Sequence, residues 1–481
     1  MTRQMTFSTD FRAYGFILIQ AIIFMFPHSM APWGNGNYPT DVCVYYRCAE
    51  WINQGLVMYQ DMFDHKGPLV YLSYWLATRL FGLQGIWCMD TFIVFALFVI
   101  FYKTARLYTD SERSLLITFL MGLYYQLPFS DGGGPEWLAT LGCSYTVYLL
   151  AKHLKSDTYC SFGEMFVLSV AVAVCLLTKF NTSAVIIPVA MYFLYHLIRN
   201  FDTQVFMMYC GAVVAGLVLI FAPVLYWMYL SGNIAEFIDT YWVFNTSKYE
   251  NEIAISRGTA ILTITLICIP AYLFYGLFVW WKRHNRLTLF WVSLAFYLPL
   301  ILNGYVKNGY PHYLFPCFAA FAWTLAMIWD ELCLHKKLYR IVVSLCMIIG
   351  LVTFGVRTYL RVCPFDNSHD MEVASFLNTN RGDSEYVMVY PFVDRIVYKI
   401  NAPAYSFNYR LWLLLDGKPA SKYFYFPPGM TDKMHQESLC QIREHAPLWV
   451  VAQEQNSQDI IRLGYSLYSC DEYGFQILKR K

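Results

Sequence analysis

The feature that most constrains this chain is a succession of apolar runs, each close to the length needed to cross a membrane as a helix. They recur from Tyr14 to Phe354, with short polar connections between them. A membrane-crossing helix needs about 20 mainly apolar residues. Only 14% of the residues are charged and 57% are hydrophobic, whereas a soluble domain carries about 25% charged residues. The chain is therefore predicted to be an α-helical polytopic membrane protein.

The apolar runs predict eleven transmembrane helices. These are Tyr14–Met30, Ile86–Tyr102, Leu115–Phe129, Trp137–Ala151, Met165–Leu177, Ala184–Leu197, Val205–Leu230, Ile261–Trp281, Leu287–Leu302, Tyr313–Ile328 and Ile341–Phe354. A twelfth apolar stretch, Leu69–Phe81, reaches only roughly 20 Å as a helix, which is short of a hydrocarbon core of about 30 Å. We therefore expect it to lie at the interface, on the outer side.

Charge distribution supports this topology. With Leu69–Phe81 kept outside, the inner connections carry twice as many Lys and Arg residues as the outer connections before the last span, as the positive-inside rule requires. The polar residues 1–13 precede the first apolar run, which is interpreted as a retained signal anchor, with a cleaved signal peptide as the alternative. A net charge of +2 gives no indication of a nucleic-acid partner.

The composition changes after the last apolar run. We assign residues 1–360 to a transmembrane catalytic domain with a large first outer loop, residues 31–85, and residues 361–481 to a small soluble α/β domain. Short β-prone runs predict four strands there, and two helices accompany them: Tyr386–Val389, Tyr423–Phe426, Leu448–Val451 and Phe475–Leu478, with helices at Met371–Leu377 and Glu437–Arg443. In an oxidising compartment Cys440 and Cys470 are the pair best suited to a disulfide, which the sequence does not settle.

The first outer loop contains the candidate chemistry. Asp41 lies about ten residues past the first helix. One interpretation is a helix cap, because Thr40 or Asp41 before an amphipathic run is a normal start signal. The other is a catalytic base.

The consecutive residues Asp64, His65 and Lys66 stand directly before Gly67-Pro68 and the interfacial helix. This places an ammonium and an imidazole at headgroup depth, where they can bind a lipid phosphate. The alternative is a solvated turn with a lysine snorkelling to the interface. A metal site is less favoured, because adjacent Asp and His lack the usual ligand spacing.

Two further outer loops add candidates. Glu136 follows a glycine-rich turn and opens the next helix, where the helix dipole favours an acid for structural reasons alone. A later loop contains Lys307, Tyr310 and His312, which are either further phosphate donors or an interfacial belt.

The string YQDMFDHKGPL at residues 59–69, after an acid-bearing first outer loop and before an aromatic interfacial helix, resembles the GT-C membrane glycosyltransferases. It is most similar to a bacterial branch that includes rhizobial lipopolysaccharide sugar transferases, and more distantly to protein O-mannosyltransferases and the lipid A aminoarabinose transferase. The resemblance is best over the first 200 or so residues. One departure is Gly67-Pro68, where the aminoarabinose branch has two prolines, which leaves the sugar open.

The resemblance implies an inverting hexosyl- or pentosyltransferase of the bacterial inner membrane, with its catalytic loops and C-terminal domain facing the periplasm. The donor would be a polyprenyl-phosphate sugar, the acceptor a glycan or lipid, and the role cell-envelope or surface-glycan synthesis. Asp41 stands where the family has its base, Lys66 where it binds the lipid phosphate, and Glu136 where a second acid is typical. The outer acids could also support a divalent cation. The alternative functions are a polymerase of lipid-linked polysaccharide and a lipid-glycan transporter or flippase.

Overall fold

The computed structural model describes residues 7–36, 38–125, 133–156, 158–199, 201–248, 291–292, 294–295, 315–334, 336–363, 368–390, 407–425, 431–470 and 475–481. The described residues up to Val362 are mainly helical. The helices are α1 (Phe7–Phe24), α2 (Thr40–Asn53), α3 (Pro68–Phe81), α4 (Gln84–Arg106), α5 (Ser111–Tyr125), α6 (Pro135–Ser156), α7 (Phe162–Thr178), α8 (Ile186–Arg199), α9 (Thr203–Ser231), α10 (Ile234–Phe237), α11 (Phe318–Leu334) and α12 (Lys336–Val362). A 3₁₀ segment, Phe180–Val185, leads into α8, and a π-helix, Ile238–Lys248, follows α10.

Within the described residues, four helical segments are long and apolar enough to cross a membrane. They are Gln84–Arg106, Phe180–Arg199, Thr203–Ser231 and Val343–Val362. Shorter apolar helices cover Phe11–Phe24, Phe162–Thr178 and Phe315–Trp329. The predicted span Ile261–Trp281, and all but four residues of Leu287–Leu302, lie outside the described residues, so the number of eleven spans stays a prediction.

The first helix lies further towards the N-terminus than the apolar run suggested. It ends at Phe24, and turns continue to Ala31. Pro27 lacks an N–H donor and disfavours helical geometry in the residue before it, so the helix cannot continue through the run. The apolar residues beyond Phe24 pack in these turns instead of extending the helix.

The short apolar stretch predicted at Leu69–Phe81 forms α3, which begins one residue earlier, at Pro68. Proline at the first position suits a helix start, because its missing N–H would have no intrahelical partner there. One face of α3, with Tyr71 and Tyr74, is buried, while Leu80 and Phe81 are exposed. This two-faced pattern is what an interfacial helix requires; the interfacial placement itself stays a prediction.

The C-terminal part contains a five-stranded sheet with helices. The strands are β1 (Tyr386–Val389), β2 (Lys418–Pro419), β3 (Trp449–Gln453), β4 (Tyr465–Cys470) and β5 (Phe475–Arg480), and the helices are α13 (Ser368–Asn380), α14 (Phe407–Leu414), α15 (Asp432–His445) and α16 (Glu454–Arg462). The strand order is β2-β1-β3-β5-β4, parallel from β2 to β3 and antiparallel from β3 to β4.

One expectation for this part is wrong, and one question that the sequence left open is answered. Residues 423–425 form no strand: their apolar side chains are buried by packing, with Phe424 edge-on against Trp51 of α2 and against Trp412. Cys440 and Cys470 form no disulfide; Cys440 lies on α15, Cys470 ends the edge strand β4, and both carry thiols.

The sheet unit is packed directly against the first outer loop. Arg47 of α2 donates to the carbonyl oxygens of Leu415 (2.5 Å) and Gly417 (3.0 Å), and the Trp51 indole also donates to Gly417 (2.9 Å). One hydrophobic core runs through α2, α3 and the buried faces of β1 and β3. The loop and the C-terminal unit therefore fold as one body around the candidate site.

Candidate functional site

The segment from Phe63 to Gly67, which we call the 63–67 loop, is held by hydrogen bonds to four different parts of the chain. The Phe63 N–H donates to the Lys422 carbonyl (2.8 Å), and the Gly67 N–H donates to the Thr178 carbonyl at the end of α7 (2.9 Å). The Asn245 amide of the π-helix donates to the His65 carbonyl (2.7 Å). On the α3 side, the Tyr71 hydroxyl lies 3.3 Å from the Lys66 amide nitrogen. The backbone is thus fixed before any ligand binds, which limits the entropy lost on binding.

Two residues shape this loop through their backbone. Gly67 passes so close to α7 that a Cβ there would lie 2.1 Å from the Leu177 carbonyl oxygen, so only glycine fits. Tyr59 has a left-handed φ of 70°, which is costly for an aromatic residue. Its hydroxyl donates to the Lys66 carbonyl at 2.8 Å, so this unusual turn directs Tyr59 at the loop.

Asp64 anchors the loop from beneath. Its carboxylate is buried and accepts hydrogen bonds from the Tyr425 hydroxyl (2.5 Å), the Tyr71 hydroxyl (2.7 Å) and the His65 amide (2.7 Å). A carboxylate with these donors is compensated for its loss of water. It is turned towards α3 and the C-terminal unit, so its partners here are protein groups.

Lys66 and His65 form the upper side of the loop. The Lys66 ammonium lies 2.7 Å from His65 Nε2. Burial lowers the pKa of His65 well below its usual range, and the positive charges of Lys66 and Lys179 lower it further. His65 is therefore neutral at pH 7, and its Nε2 accepts a hydrogen bond from the ammonium. Lys66 is partly exposed, and an ammonium has three N–H donors, so it can also bind an anion.

Glu136 lies in the same cluster, paired with Lys179. Glu136 is in the first turn of α6 and Lys179 directly follows α7, and these two helices pack side by side. The ammonium donates to Glu136 Oε1, and both side chains are mostly buried, at 11% exposed for Lys179 and 5% for Glu136. The pair brings a second cation to the site.

A buried hydrogen-bond network fixes the turn before Glu136. Asp90 of α4 accepts from the Gly133 amide (2.6 Å) and from His28 Nε2 (2.9 Å). His28 Nδ1 accepts from the Met30 amide, which leaves the proton on Nε2. The Tyr74 hydroxyl donates to the Gly133 carbonyl (2.7 Å). Asp90 is an acid inside an apolar run of the sequence. Ionisable residues in such runs are rare, so Asp90 is a signal by which the sequence could have indicated this network.

Asp41 is the accessible acid of the cluster. Pro39, not Asp41, occupies the N-cap position of α2, and no side chain caps the helix there. The Asp41 side chain is exposed to solvent, yet its pKa is raised, mainly because the surrounding protein displaces bulk water. The Lys66 ammonium opposes this rise, and the carboxylates of Glu136 and Asp64 add to it. The Asp41 carboxylate is therefore open to solvent and lies within electrostatic range of Lys66, Glu136 and Asp64.

Tyr45 stands one helical turn after Asp41, on the same face of α2. It is buried, and its hydroxyl makes no hydrogen bond with any described residue. Its pKa is raised well above the usual value by burial and then by the nearby carboxylates of Asp41, Asp64 and Glu136. A buried unpaired hydroxyl is uncommon in folded proteins, and here it lies near the carboxylates of the acidic cluster.

The structure thus brings together the candidate residues Asp41, Asp64, His65, Lys66 and Glu136. The candidates Lys307, Tyr310 and His312 lie outside the described residues and stay predictions. Three residues of the cluster were not among the candidates. Lys179 was recognisable as a basic residue at an outer helix end, whereas Tyr71 and Tyr425 gave no signal, because tyrosines are frequent in this chain.

Comparison with solved structures identifies the fold. ArnT from Cupriavidus metallidurans bound to undecaprenyl phosphate superposes with a TM-score of 0.63 at 12% identity, covering 96% of this chain and 97% of that one. The oligosaccharyltransferase AglB from Archaeoglobus fulgidus, in complex with an inhibitory peptide and a dolichol-phosphate, gives 0.53 at 11% identity, covering 99% and 75%. A second structure of that oligosaccharyltransferase, with Zn and sulfate, gives 0.52 at 11%, covering 97% and 73%.

No protein-family model matches the sequence, and a search of curated proteins gives no significant match. The structural similarity at such low identity shows the fold alone. It is a GT-C-like fold, as in ArnT and AglB, so the fold implied by the sequence resemblance is confirmed.

Proposed function

We propose that this protein is an inverting glycosyltransferase that moves a sugar from a polyprenyl-phosphate donor to a hydroxyl of a glycan or lipid acceptor. The observation that carries this proposal is the joint position of Asp41 and Lys66. The accessible Asp41 carboxylate and the Lys66 ammonium, which lies on a loop held by hydrogen bonds, are close enough for the ammonium to lower the pKa of the carboxylate. The same fold in ArnT is seen with undecaprenyl phosphate bound.

In this mechanism Asp41 accepts the proton of the acceptor hydroxyl as its oxygen attacks the anomeric carbon. The bond between that carbon and the phosphate oxygen breaks, and the configuration inverts in a single displacement. The lipid phosphate leaves as an anion, so no strong general acid is required. The raised pKa of Asp41 makes it a better proton acceptor than an ordinary carboxylate.

Lys66 binds the phosphate and stabilises the charge that develops on it. Neutral His65 accepts from the ammonium and so orients it, and Asp64 holds both residues in place through its bonds to Tyr71 and Tyr425. Lys307, Tyr310 and His312 are proposed as further donors to the same phosphate.

Glu136 is assigned to the site through Lys179. Its ion pair holds this second cation beside the cluster, where the positive charge lowers the pKa of Asp41 while the Glu136 carboxylate raises it. The pair thereby sets the proton affinity of the base, and we propose this as the part of Glu136 in catalysis.

The described residues of the cluster do not form a good cation site. Asp64 is saturated by three donors and Glu136 is paired with Lys179. This leaves Asp41 as the one carboxylate of the cluster that makes no hydrogen bond or ion pair with another described residue, whereas divalent cations take several oxygen ligands. The proposed mechanism therefore uses no metal ion.

We place the site on the outer face of the bacterial inner membrane, as the distribution of Lys and Arg predicts. A polymerase of lipid-linked polysaccharide could use the same base and 63–67 loop, and its product distinguishes it: a ladder of repeats in place of one added sugar. For a transporter or flippase, the accessible Asp41 would have no chemical task.

The proposal is tested by mass spectrometry of lipid-linked intermediates and surface glycans in a strain that lacks the protein. Returning the wild-type gene should restore one sugar on the acceptor, whereas Asp41→Asn should restore none although the protein is inserted at the wild-type level. Full sugar transfer by the Asp41→Asn protein would remove Asp41 from the mechanism.

A further inference from the structure

A second cluster of chemically reactive side chains lies at the opposite end of α6 from the transfer site. It contains His153 in the last turn of α6, Cys160 in the following connection, and Glu164 in the first turn of α7. Their ligand atoms all lie within 4.8 Å of one another. His153 follows Glu136 by 17 residues of helix, which places it about 26 Å away, so the two clusters are separate.

The hydrogen bonds of His153 fix which ring nitrogen carries the proton. Nδ1 donates to the Thr158 carbonyl at 2.8 Å. This arrangement, with the other nitrogen left as an acceptor, is the usual support of a metal-binding histidine. Nε2 is buried and makes no hydrogen bond with any described residue.

Nε2 also faces a carboxylate oxygen. It lies 3.4 Å from Glu164 Oε2, and with the proton on Nδ1 both atoms present lone pairs to each other. Such a contact is repulsive unless a cation lies between the two atoms, either a second proton on the imidazole or a metal ion. The buried Cys160 thiol beside them favours the metal ion over the second proton. A thiol does not stabilise an ion pair between imidazolium and carboxylate, whereas it is a strong ligand for a soft metal.

We propose that His153, Cys160 and Glu164 bind a zinc ion that ties the connection between α6 and α7 to both helices. Nitrogen, sulfur and oxygen ligands together favour Zn²⁺ over Mg²⁺ or Ca²⁺, and a water molecule completes the tetrahedron. On binding, the Cys160 thiol releases its proton to solvent and the sulfur bonds to the metal. The charges of the thiolate and the carboxylate then balance that of the ion.

The existing partners of Glu164 are compatible with this site. Glu164 Oε1 accepts from the Lys152 ammonium and keeps this bond. Oε2 accepts from the Ser161 amide (2.9 Å) and the Ser161 hydroxyl (3.1 Å) in a capping box. The hydroxyl can rotate away from Oε2 and leave that oxygen to the ion.

The test is metal binding by the purified full-length protein. After equilibrium dialysis against micromolar Zn²⁺, the wild-type protein should retain one zinc per chain, and Co²⁺ in its place should give a thiolate-to-cobalt charge-transfer band. Cys160→Ser and His153→Gln should lower the affinity at least tenfold and remove the band or shift it. Glu164→Gln keeps a side chain able to form the capping box, so it weakens binding without unfolding the start of α7.

Cys210→Ser is the matched control, because Cys210 is exposed on α9, outside the cluster. It should retain both the zinc and the band. A wild-type protein without bound zinc, or equal loss of zinc in Cys210→Ser and Cys160→Ser, would overturn the proposal. If Cys160→Ser fails to fold, unchanged zinc content in Glu164→Gln and His153→Gln would overturn it equally.

Discussion

Gly67 is the position where a single added carbon should disturb the 63–67 loop. A Cβ there would lie 2.1 Å from the Leu177 carbonyl oxygen, and backbone cannot move aside cheaply. We expect Gly67→Ala to lower the free energy of unfolding by about 1–3 kcal/mol, the usual cost of overpacking, and to impair sugar transfer. Thermal unfolding in detergent and a transfer assay measure both effects.

Gly163→Ala is the control for that substitution. Gly163 lies in the first turn of α7, where a Cβ would meet no atom within 4 Å. Alanine favours helix over glycine by about 1 kcal/mol, so this variant should be as stable as the wild type or more so. Equal behaviour of the two variants would show that the loop does not depend on the close approach at Gly67.

Ionisation of the Asp41 carboxylate should lower the free energy of unfolding, so the effect of this residue on stability depends on pH. Its pKa is raised in the folded protein, so the folded state holds the proton more tightly than the unfolded chain does. Below the unfolded pKa both states are protonated, and wild type and Asp41→Asn should be equally stable. As the pH rises through the raised folded pKa, the wild type loses stability and the variant does not.

Thermal unfolding of both proteins across pH 4 to 8 measures this difference. Asp41→Asn should gain in melting temperature towards neutral pH while losing activity. The control Asp202→Asn keeps a capping side chain at the start of α9 and should show no such gain. A variant at Asp41 that is less stable than the wild type at neutral pH would mean that the carboxylate stabilises the fold.

At the scale of elements, the segment 421–425 joins the C-terminal unit to the 63–67 loop. Tyr425→Phe removes one of the three donors to the buried Asp64 carboxylate, which should cost about 1–3 kcal/mol. We expect faster amide exchange in residues 59–67 and a higher KM for the donor. Hydrogen exchange followed by mass spectrometry measures the first, and transfer kinetics measure the second.

Tyr465→Phe gives the comparison for Tyr425. It removes a buried hydrogen bond to the Pro447 carbonyl within the C-terminal unit, away from the loop. Exchange in residues 59–67 should then stay as in the wild type. If both variants loosen the loop equally, the bond between Tyr425 and Asp64 has no special part in holding it.

The sequence predicted elements well where a local pattern decides the structure. A short apolar run predicted α3 to within one residue, and a short β-prone run predicted β1 at its bounds. The run at 423–425 failed because its aromatic residues pack against Trp51, far away in sequence. The π-helix at Ile238–Lys248 was not predicted either, since hydrophobic periodicity carries no clear signal for it.

At the scale of the whole molecule, the site is assembled from segments far apart in the chain. Asp41 and Lys66 were predicted as its two poles, since both lie in one polar loop that follows a membrane helix. Lys179 joins them only because α6 and α7 pack as neighbours, and Tyr425 only because the C-terminal unit lies on the loop. Such contacts depend on tertiary packing, which a single sequence does not encode locally.

The most direct test of the account is the binding of undecaprenyl phosphate to the protein in lipid nanodiscs. Asp41→Asn should bind it at least as tightly as the wild type, because Asp41 acts on the acceptor and its negative charge does not attract the phosphate. Lys66→Met should weaken binding about 10- to 100-fold, as expected for a charged hydrogen bond of about 1.5–3 kcal/mol. The control is Lys103→Met, because Lys103 is exposed in the last turn of α4; this variant should bind undecaprenyl phosphate as the wild type does. Unchanged binding by Lys66→Met would contradict the account.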